Sequence, residues 1–504
     1  MKYTKEQIDI IESDGNIQVN AVAGSGKTST IIGYAEARPD AKILYVAFNK
    51  TVKEEAIKRF EEKDITNVKV ETAHSLAYKA IVVPNRKYKI TNGYKMGEIV
   101  DMLTIKGDAD KHSKYILAAH IKKFISYFCN SSVEKIQDLN YLDIVESAKA
   151  KDFVGRAYAF IEEQTRILLG KMDKAEIAIV HDFYLKKYQL SNPVLDYDFI
   201  LFDEGQDASP AMLDIFFKQK ATKVIVGDTH QQIYSWRFAV NSMDKSQYKT
   251  FNLSTSFRFN QGIANLAMSV LDLKDDIENA AVIYDQVNIK GIGTSTSNTS
   301  KCIISRTNLG LLLKAIKYIE YYDKIYFEGN IYSYTYADEG TSLYDVLNLF
   351  LEKKSYIKDK VIAGMANMEE LDEYIDKTED VQLRSMVEIV KKYKGRVAYL
   401  IKEIKDKHVD KKEDADMIFS TVHRCKGMEY DHVELSDDFI TEKKLTDQNK
   451  KIKEGRRDLP AKINEELNLL YVAITRTKNI LEIPQEMIPK RAGQVTKNIK
   501  LLYH

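Results

Sequence analysis

Gly24, Gly26, Lys27 and Thr28, inside the stretch VNAVAGSGKTST (residues 19–30), have the types and spacing of a loop that wraps a phosphate. Such a loop turns backbone N–H groups onto the anion at a helix N-terminus, and its glycines keep side chains out of the way. The general pattern G-x-x-x-x-G-K-[ST] wants glycine where this sequence has Ala21. In such a loop Lys27 reaches the β- and γ-phosphates of ATP and Thr28 binds Mg²⁺, while Ala23, Gly24, Ser25, Gly26 and Ser29 complete the cradle. Taken alone, the stretch also reads as an ordinary glycine turn.

A second stretch, FILFDEGQD, supplies what hydrolysis needs beside the loop. Asp203 follows four apolar residues and is placed to assist Thr28 with the metal, and Glu204 to orient and deprotonate the attacking water. An acidic pair at a strand end is by itself commonly a solvated loop; beside the phosphate loop, the catalytic reading gains weight. Phosphoryl transfer also calls for cations on the γ-phosphate, and Arg258 in STSFRFNQG and Arg476 in YVAITRTKN are the candidates. Each alone also reads as a surface salt bridge. If both serve one nucleotide, it sits in a cleft between two α/β domains that closes on binding.

The elements that must position these residues are legible as short apolar runs: GNIQVNAV, AKILYVAF, DFILFDE, TKVIVGD, KCIISRT, DMIFSTVH and DHVELSDDF. They alternate with helix-patterned stretches such as TSTIIGYAEA and TVKEEAIKRFEE, the order of β-α-β units in a parallel sheet. The fold class is α/β. Residues 81–190 and 356–412 break the alternation with Lys, Glu, Leu, Ile and Tyr at helical spacing and are read as helical insertions. Residues 441–460, TEKKLTDQNKKIKEGRRDLP, are a polar run with seven basic residues, either a solvated loop or a phosphate-backbone contact.

Composition narrows the class. Lys and Arg (75) balance Asp and Glu (74), so any nucleic-acid site is a local groove and not a global field. Three scattered cysteines argue against a disulfide framework or a C-x-x-C metal site. The charged N-terminal stretch lacks the apolar core of a signal peptide and no run approaches ~20 apolar residues, which predicts a soluble intracellular protein without membrane attachment.

The order of these motifs resembles the superfamily 1 helicases of the UvrD/Rep/PcrA type, from Gln7 to about Lys478. That family's loop often reads A-x-A-G-S-G-K-T, which accommodates Ala21. The resemblance implies two RecA-like motor domains: 1A (1–80 and 191–255) with helical insertion 1B (81–190), and 2A (256–355 and 413–504) with a short insertion 2B (356–412). It implies that Gln7 in TKEQ reads adenine, Phe257 stacks on it, Glu429 lies near the ribose, Gln231 senses the γ-phosphate, and Arg258 and Arg476 engage it. Phe48 in AFNKTVKEEA, His74 in TAHSLAYKA, Tyr234 and Trp236 in VGDTHQQIYSWRFA, and Thr421 and His423 in STVHRCKGMEYDHV are implied to face DNA. Burial in the sheet core competes for Phe48 and Tyr234, and a structural hydrogen bond for the two histidines. Phe238 stands where the family has glycine and Phe257 where it has tyrosine.

Within the group, HDFYLKKYQLSNP, GDTHQQIYSWR and LSTSFRF are most similar to the F-box DNA helicases; no F-box-like segment precedes the first motif, so the motor is the part expected to be shared. The implied activity is DNA-stimulated ATP hydrolysis driving 3′ to 5′ translocation on single-stranded DNA and unwinding at single-strand/duplex junctions, with ATP and Mg²⁺ as cofactors. Competing expectations are a translocase that strips proteins from DNA with weak unwinding, and a nucleotide-switched subunit of a nuclease or defence complex. A protein partner such as a nuclease or a repair or recombination factor, and a cytoplasmic location, nucleoid-associated if bacterial or phage, complete the expectation.

Overall fold

The computed structural model describes residues 3–106, 112–242, 247–279, 288–335 and 342–503. Two six-stranded sheets organise them, and every pairing within either sheet is parallel. The first lobe contains β1 (Ile17–Ala21), β2 (Ile43–Ala47), β3 (Val68–Thr72), β4 (Phe199–Phe202), β5 (Thr222–Gly227) and β6 (Lys249–Leu253) in the order β3-β2-β4-β5-β1-β6. The second contains β7 (Lys301–Ser305), β8 (Ile325–Phe327), β9 (Met417–Thr421), β10 (Tyr430–Leu435), β11 (Thr477–Pro484) and β12 (Ile499–Leu502) in the order β8-β9-β7-β10-β11-β12.

The seven apolar runs are β1, β2, β4, β5, β7, β9 and β10. All lie inside their sheets, where both faces are covered, so that β2 and β9 are buried at every residue. Four of the other five strands, β3, β6, β8 and β12, are sheet edges. VKVET and KTFNL mix polar with apolar residues because an edge strand is only partly covered.

Helices Ser113–Asn130, Ala148–Asp173 and His181–Leu190, between β3 and β4, pack round Ile121, Phe124, Val154, Ile161 and Leu168. Between β8 and β9, helices Leu343–Phe350, Met368–Thr378, Val381–Tyr393 and Val397–Lys407 share a core with Ile303 and Phe419 of the second sheet. The two helical regions touch: Lys123 Nζ lies 2.7 Å from Glu379, and His120 Nε2 lies 2.9 Å from the Lys377 carbonyl.

The polar run at 441–460 is not a loop. Thr441 caps a helix, Glu442–Lys453, by accepting from Lys444 N–H, and Leu445 and Ile452, two turns apart, bury one face while the lysines take the other. The three cysteines are buried and free. Among the described residues no helix is long and apolar enough to cross a membrane.

Candidate nucleotide site and adjoining aromatic face

The C-terminal ends of β1, β2, β4 and β5 come together at the edge of the first sheet that faces the second lobe, the usual place for a ligand in an open parallel sheet. After β1 the chain turns through Gly24 and Gly26, whose φ angles of +73° and +80° are left-handed. Gly26 caps helix Lys27–Glu36 without any side-chain cap, leaving the first N–H groups free for an anion. Ser25 Oγ is buried with no hydrogen-bond partner among the described residues. An orphaned hydroxyl inside a glycine turn at a helix N-terminus fits a phosphate.

Val22 N–H donates to the Leu253 carbonyl (3.0 Å) within the first lobe, and Phe257 N–H, at the start of the second, donates to the Gly24 carbonyl (2.9 Å). A Cβ on Gly24 would lie 2.6 Å from Arg258 Cβ. Gly24→Ala is therefore expected to cost about 1 kcal/mol or more of stability through its positive φ, and to weaken nucleotide binding by displacing Arg258; thermal unfolding and an ADP titration measure the two.

Gln7 is buried on helix Lys5–Ile11, where it completes a capping box with Thr4 and donates from Nε2 to Thr30 Oγ1 at 3.2 Å. A Cβ on Gly26 would meet Gln7 Nε2 at 3.0 Å and the Phe257 ring at 3.9 Å, so these three residues border one space. Phe257 leaves 47% of its surface exposed beside it.

Charge concentrates at the other end of the loop. Lys27 Nζ lies 2.7 Å from Glu204 Oε1. Burial pulls the Lys27 ammonium down, but Glu204, Asp203 and Asp228 outweigh it and hold it above its ordinary value. Glu204 sits in the left-handed region at φ +52°. Burial pushes its pKa up, yet Lys27 and Lys426, 3.6 Å away, hold it well below the usual carboxylate range. Asp203 shifts upward instead, through burial and the charge on Glu204, and accepts from Tyr45 OH at 2.5 Å. Burial also raises Asp228, and lifts Asp207 to about 6. The site therefore holds Glu204 well below the usual carboxylate range beside three carboxyls shifted the other way.

The second lobe brings the remaining groups. Arg258 donates to Glu429 Oε2 (3.0 Å) and to the Thr475 carbonyl (2.9 Å). Arg476 is 1% exposed and donates to the Val472 and Met428 carbonyls and to Thr475 Oγ1. Burial, then the neighbouring Arg258, bring its pKa down to about 10. Lys426 binds Asp207 and donates to the Gln231 carbonyl at 2.8 Å, and Gln231 Nε2 donates to Asp228 Oδ2 at 2.7 Å. Thr28 and Ser29 are half-buried in the first turn of the helix after the loop.

Beyond Gln231 the chain runs into an aromatic cluster that spans both lobes. Phe48, just after β2, packs on Tyr234 with centroids 5.5 Å apart. Tyr234 OH donates to the His423 carbonyl at 2.8 Å, and its ring lies 6.3 Å from Trp236. Trp236 is 64% exposed. His423 Nε2 lies 3.0 Å from the Ile233 carbonyl, and burial brings its pKa down to about 4, so it is neutral. His74 stands apart, 3.5 Å from Asp182 and edge-on to Tyr184, and Thr421 is buried at the end of β9.

Residues 3–252 match the UvrD/REP helicase N-terminal domain family. These residues are a UvrD/REP helicase N-terminal domain. F-box DNA helicase 1 of Gallus gallus is 31% identical over 97% of this chain and 49% of its own length. F-box DNA helicase protein 1 of Schizosaccharomyces pombe is 28% identical over 95% of this chain and 57% of its own, and ATP-dependent DNA helicase Rep of Buchnera aphidicola 24% identical over 64% and 53%. The chain spans about half the length of these curated relatives.

Within and around the UvrD/REP domain, the structure adds Tyr45, Asp207, Asp228, Lys426 and Tyr471 to the residues singled out by sequence. Asp228, Lys426 and Tyr471 lie inside the motifs GDTHQQ, HRCKGME and LNLLYVAITRTK, but Tyr471 on Asp228, Asp207 and the Gln231 carbonyl on Lys426, and the Ala23 amide on Tyr471 are partners 195 or more residues away along the chain. A charged side chain beside glycine hinted at Asp228 and Lys426, whereas Tyr45 and Tyr471 sit in apolar runs that read only as core.

Proposed function

We propose that this chain is an ATP-dependent DNA helicase that moves on single-stranded DNA, in the 3′ to 5′ direction, and unwinds duplex at single-strand junctions. The observation that supports the reading is that the Lys27–Glu204 pair of the first lobe and Arg258 and Arg476 of the second meet where the lobes join, Arg476 lying within electrostatic reach of Arg258 and Glu204, and the turn after Gln231 leads directly to exposed Trp236. The motor division follows, with residues 1–80 and 191–255 in one RecA-like domain and 256–355 and 413–504 in the other, carrying insertions 81–190 and 356–412.

Thr28 and Asp203 are the residues that would hold Mg²⁺, which when bound neutralises charge on the β- and γ-phosphates. Gln7 and Phe257 hold the base, and Glu429 the ribose. Before nucleotide arrives, Lys27 is paired with Glu204 and keeps that carboxylate a weak base. A phosphate that recruits the ammonium releases Glu204, whose pKa then rises toward a value suited to taking a proton from water. Arg258 and Arg476 stabilise charge on the departing phosphoryl group. Separation of the lobes after hydrolysis moves His423 and the Tyr234 cluster relative to one another, which shifts the grip on a strand stacked at Phe48, Tyr234 and Trp236. Stacking tolerates any base and is worth ~1 to 3 kcal/mol per base, which suits a motor that grips and lets go.

Single-stranded DNA is expected to raise ATP turnover many-fold, and a duplex with a 3′ tail to be unwound in preference to one with a 5′ tail. Turnover indifferent to DNA overturns the motor reading, and a preference for the 5′ tail overturns the polarity. Because Trp236 is the sole tryptophan, oligonucleotide is expected to quench the chain's tryptophan emission in a saturable titration. A flat titration removes Trp236 from the track.

A further inference from the structure

Three buried polar side chains of the second lobe meet one turn of the first. Tyr471 OH donates to Asp228 Oδ2 at 3.2 Å and accepts the Ala23 N–H at 3.4 Å. Asn468 Nδ2 donates to the Gln232 carbonyl at 2.9 Å, while Lys274 Nζ lies 2.6 Å from Asn468 Oδ1 and 2.8 Å from His230 Nδ1. The same Asp228 oxygen that Tyr471 binds also accepts from Gln231 Nε2. One phenol therefore touches the phosphate loop and the acceptor that orients Gln231.

Its placement is rigid. Tyr471 is fully buried on helix Leu459–Ile474, five residues before Arg476, with the His230 ring edge-on at 6.2 Å. A phenolic hydroxyl both donates and accepts, and the bonds it makes weaken steeply once donor and acceptor separate beyond about 3.5 Å. Both contacts cross the cleft, so both exist only in one relative setting of the lobes. Nothing in the hydrolytic chemistry described above uses this group.

We propose that Tyr471 is a positioning residue that conveys closure of the second lobe to the phosphate loop and to Gln231, so that turnover accelerates when nucleic acid closes the cleft. The inference rests on the motor reading above. No bond is made or broken at the phenol. It holds Asp228, Gln231 and the Ala23 amide in register, and releases them when the lobes part.

Tyr471→Phe keeps the ring and its packing and removes only the hydroxyl. The experiment measures ATP turnover of the full chain with and without oligo(dT), the KM for ATP, and the Tm. The ratio of stimulated to unstimulated kcat is expected to fall about tenfold, the loss of one hydrogen bond to a charged acceptor, with KM for ATP changed less than about twofold. An unchanged ratio overturns the proposal. So does an equal fall in both rates accompanied by a lowered Tm, which assigns the phenol a purely structural role. Asp228→Asn weakens the same contact from the first lobe and carries the test by itself should the Phe variant not fold, an unchanged ratio again being the overturning result. A wild-type chain that oligo(dT) does not stimulate overturns the motor reading and this inference with it, before any variant is made.

Discussion

Arg476→Ala is expected to lower DNA-stimulated ATP turnover about 10³-fold or more, the range found when the cation that meets a transferring phosphoryl group is removed. The expectation rests on an electrostatic oddity. Arg476 is almost wholly buried, its donors reach only neutral oxygens, and no carboxylate pairs with it among the described residues. A buried guanidinium beside a second one, Arg258, is unfavourable unless an anion joins them, and its depressed pKa is the same fact expressed as proton affinity. A polyphosphate entering the cleft is such an anion. If the cation acts mainly in the transition state, kcat falls while binding of ADP changes little, and Arg476→Lys recovers part of the loss because it restores charge without the planar fork. Turnover within tenfold of wild type, in a variant that still unfolds cooperatively, would remove Arg476 from the chemistry.

Glu204→Gln is expected to reduce turnover about 10²- to 10⁴-fold, as for loss of a general base, while nucleotide binding is kept or strengthened. The second half follows from the geometry. Lys27 spends its charge on Glu204 at 2.7 Å, and a phosphate must compete for it; a neutral glutamine competes less. Lys27→Ala separates the two effects, because it removes the phosphate contact as well and is expected to abolish both binding and turnover. Stopped turnover with tightened ATP-analogue binding in Glu204→Gln, against weakened binding in Lys27→Ala, is the signature. Weakened binding in both would show that the pair is structural, not poised for exchange.

How far these residues are readable without the fold depends on the range of the interaction that defines them. The phosphate loop is local: left-handed Gly24 and Gly26, then Lys27 at a helix start, are backbone requirements met within a few residues. The acid pair is local too, because β4 is buried on both faces and ends abruptly at Asp203. Strand prediction follows the same rule in part: it succeeds for seven interior strands and fails at the edges β3, β6, β8 and β12, whose sequences need satisfy only partial burial, and it also misses interior β11, whose first half is only partly buried. Helix Glu442–Lys453 reads as a loop because only Leu445 and Ile452 reach the core, too sparse a stripe to stand out among seven basic residues at 441–460.

The amino-acid sequence by itself determined the α/β class, the phosphate loop, the Asp203–Glu204 pair and the membership of residues 3–252 in the UvrD/REP domain family, because each is written in spacing over a few residues or in the order of such stretches. Tertiary structure alone decided that Lys27 is held by Glu204, that Lys426 reaches Asp207 across the cleft, that Arg476 is buried without a counter-ion among the described residues, and that Tyr471 links Asp228 to the Ala23 amide. Those are pairings between residues up to 448 positions apart, and a chain's local preferences say nothing of which distant side chain will share its low-dielectric interior.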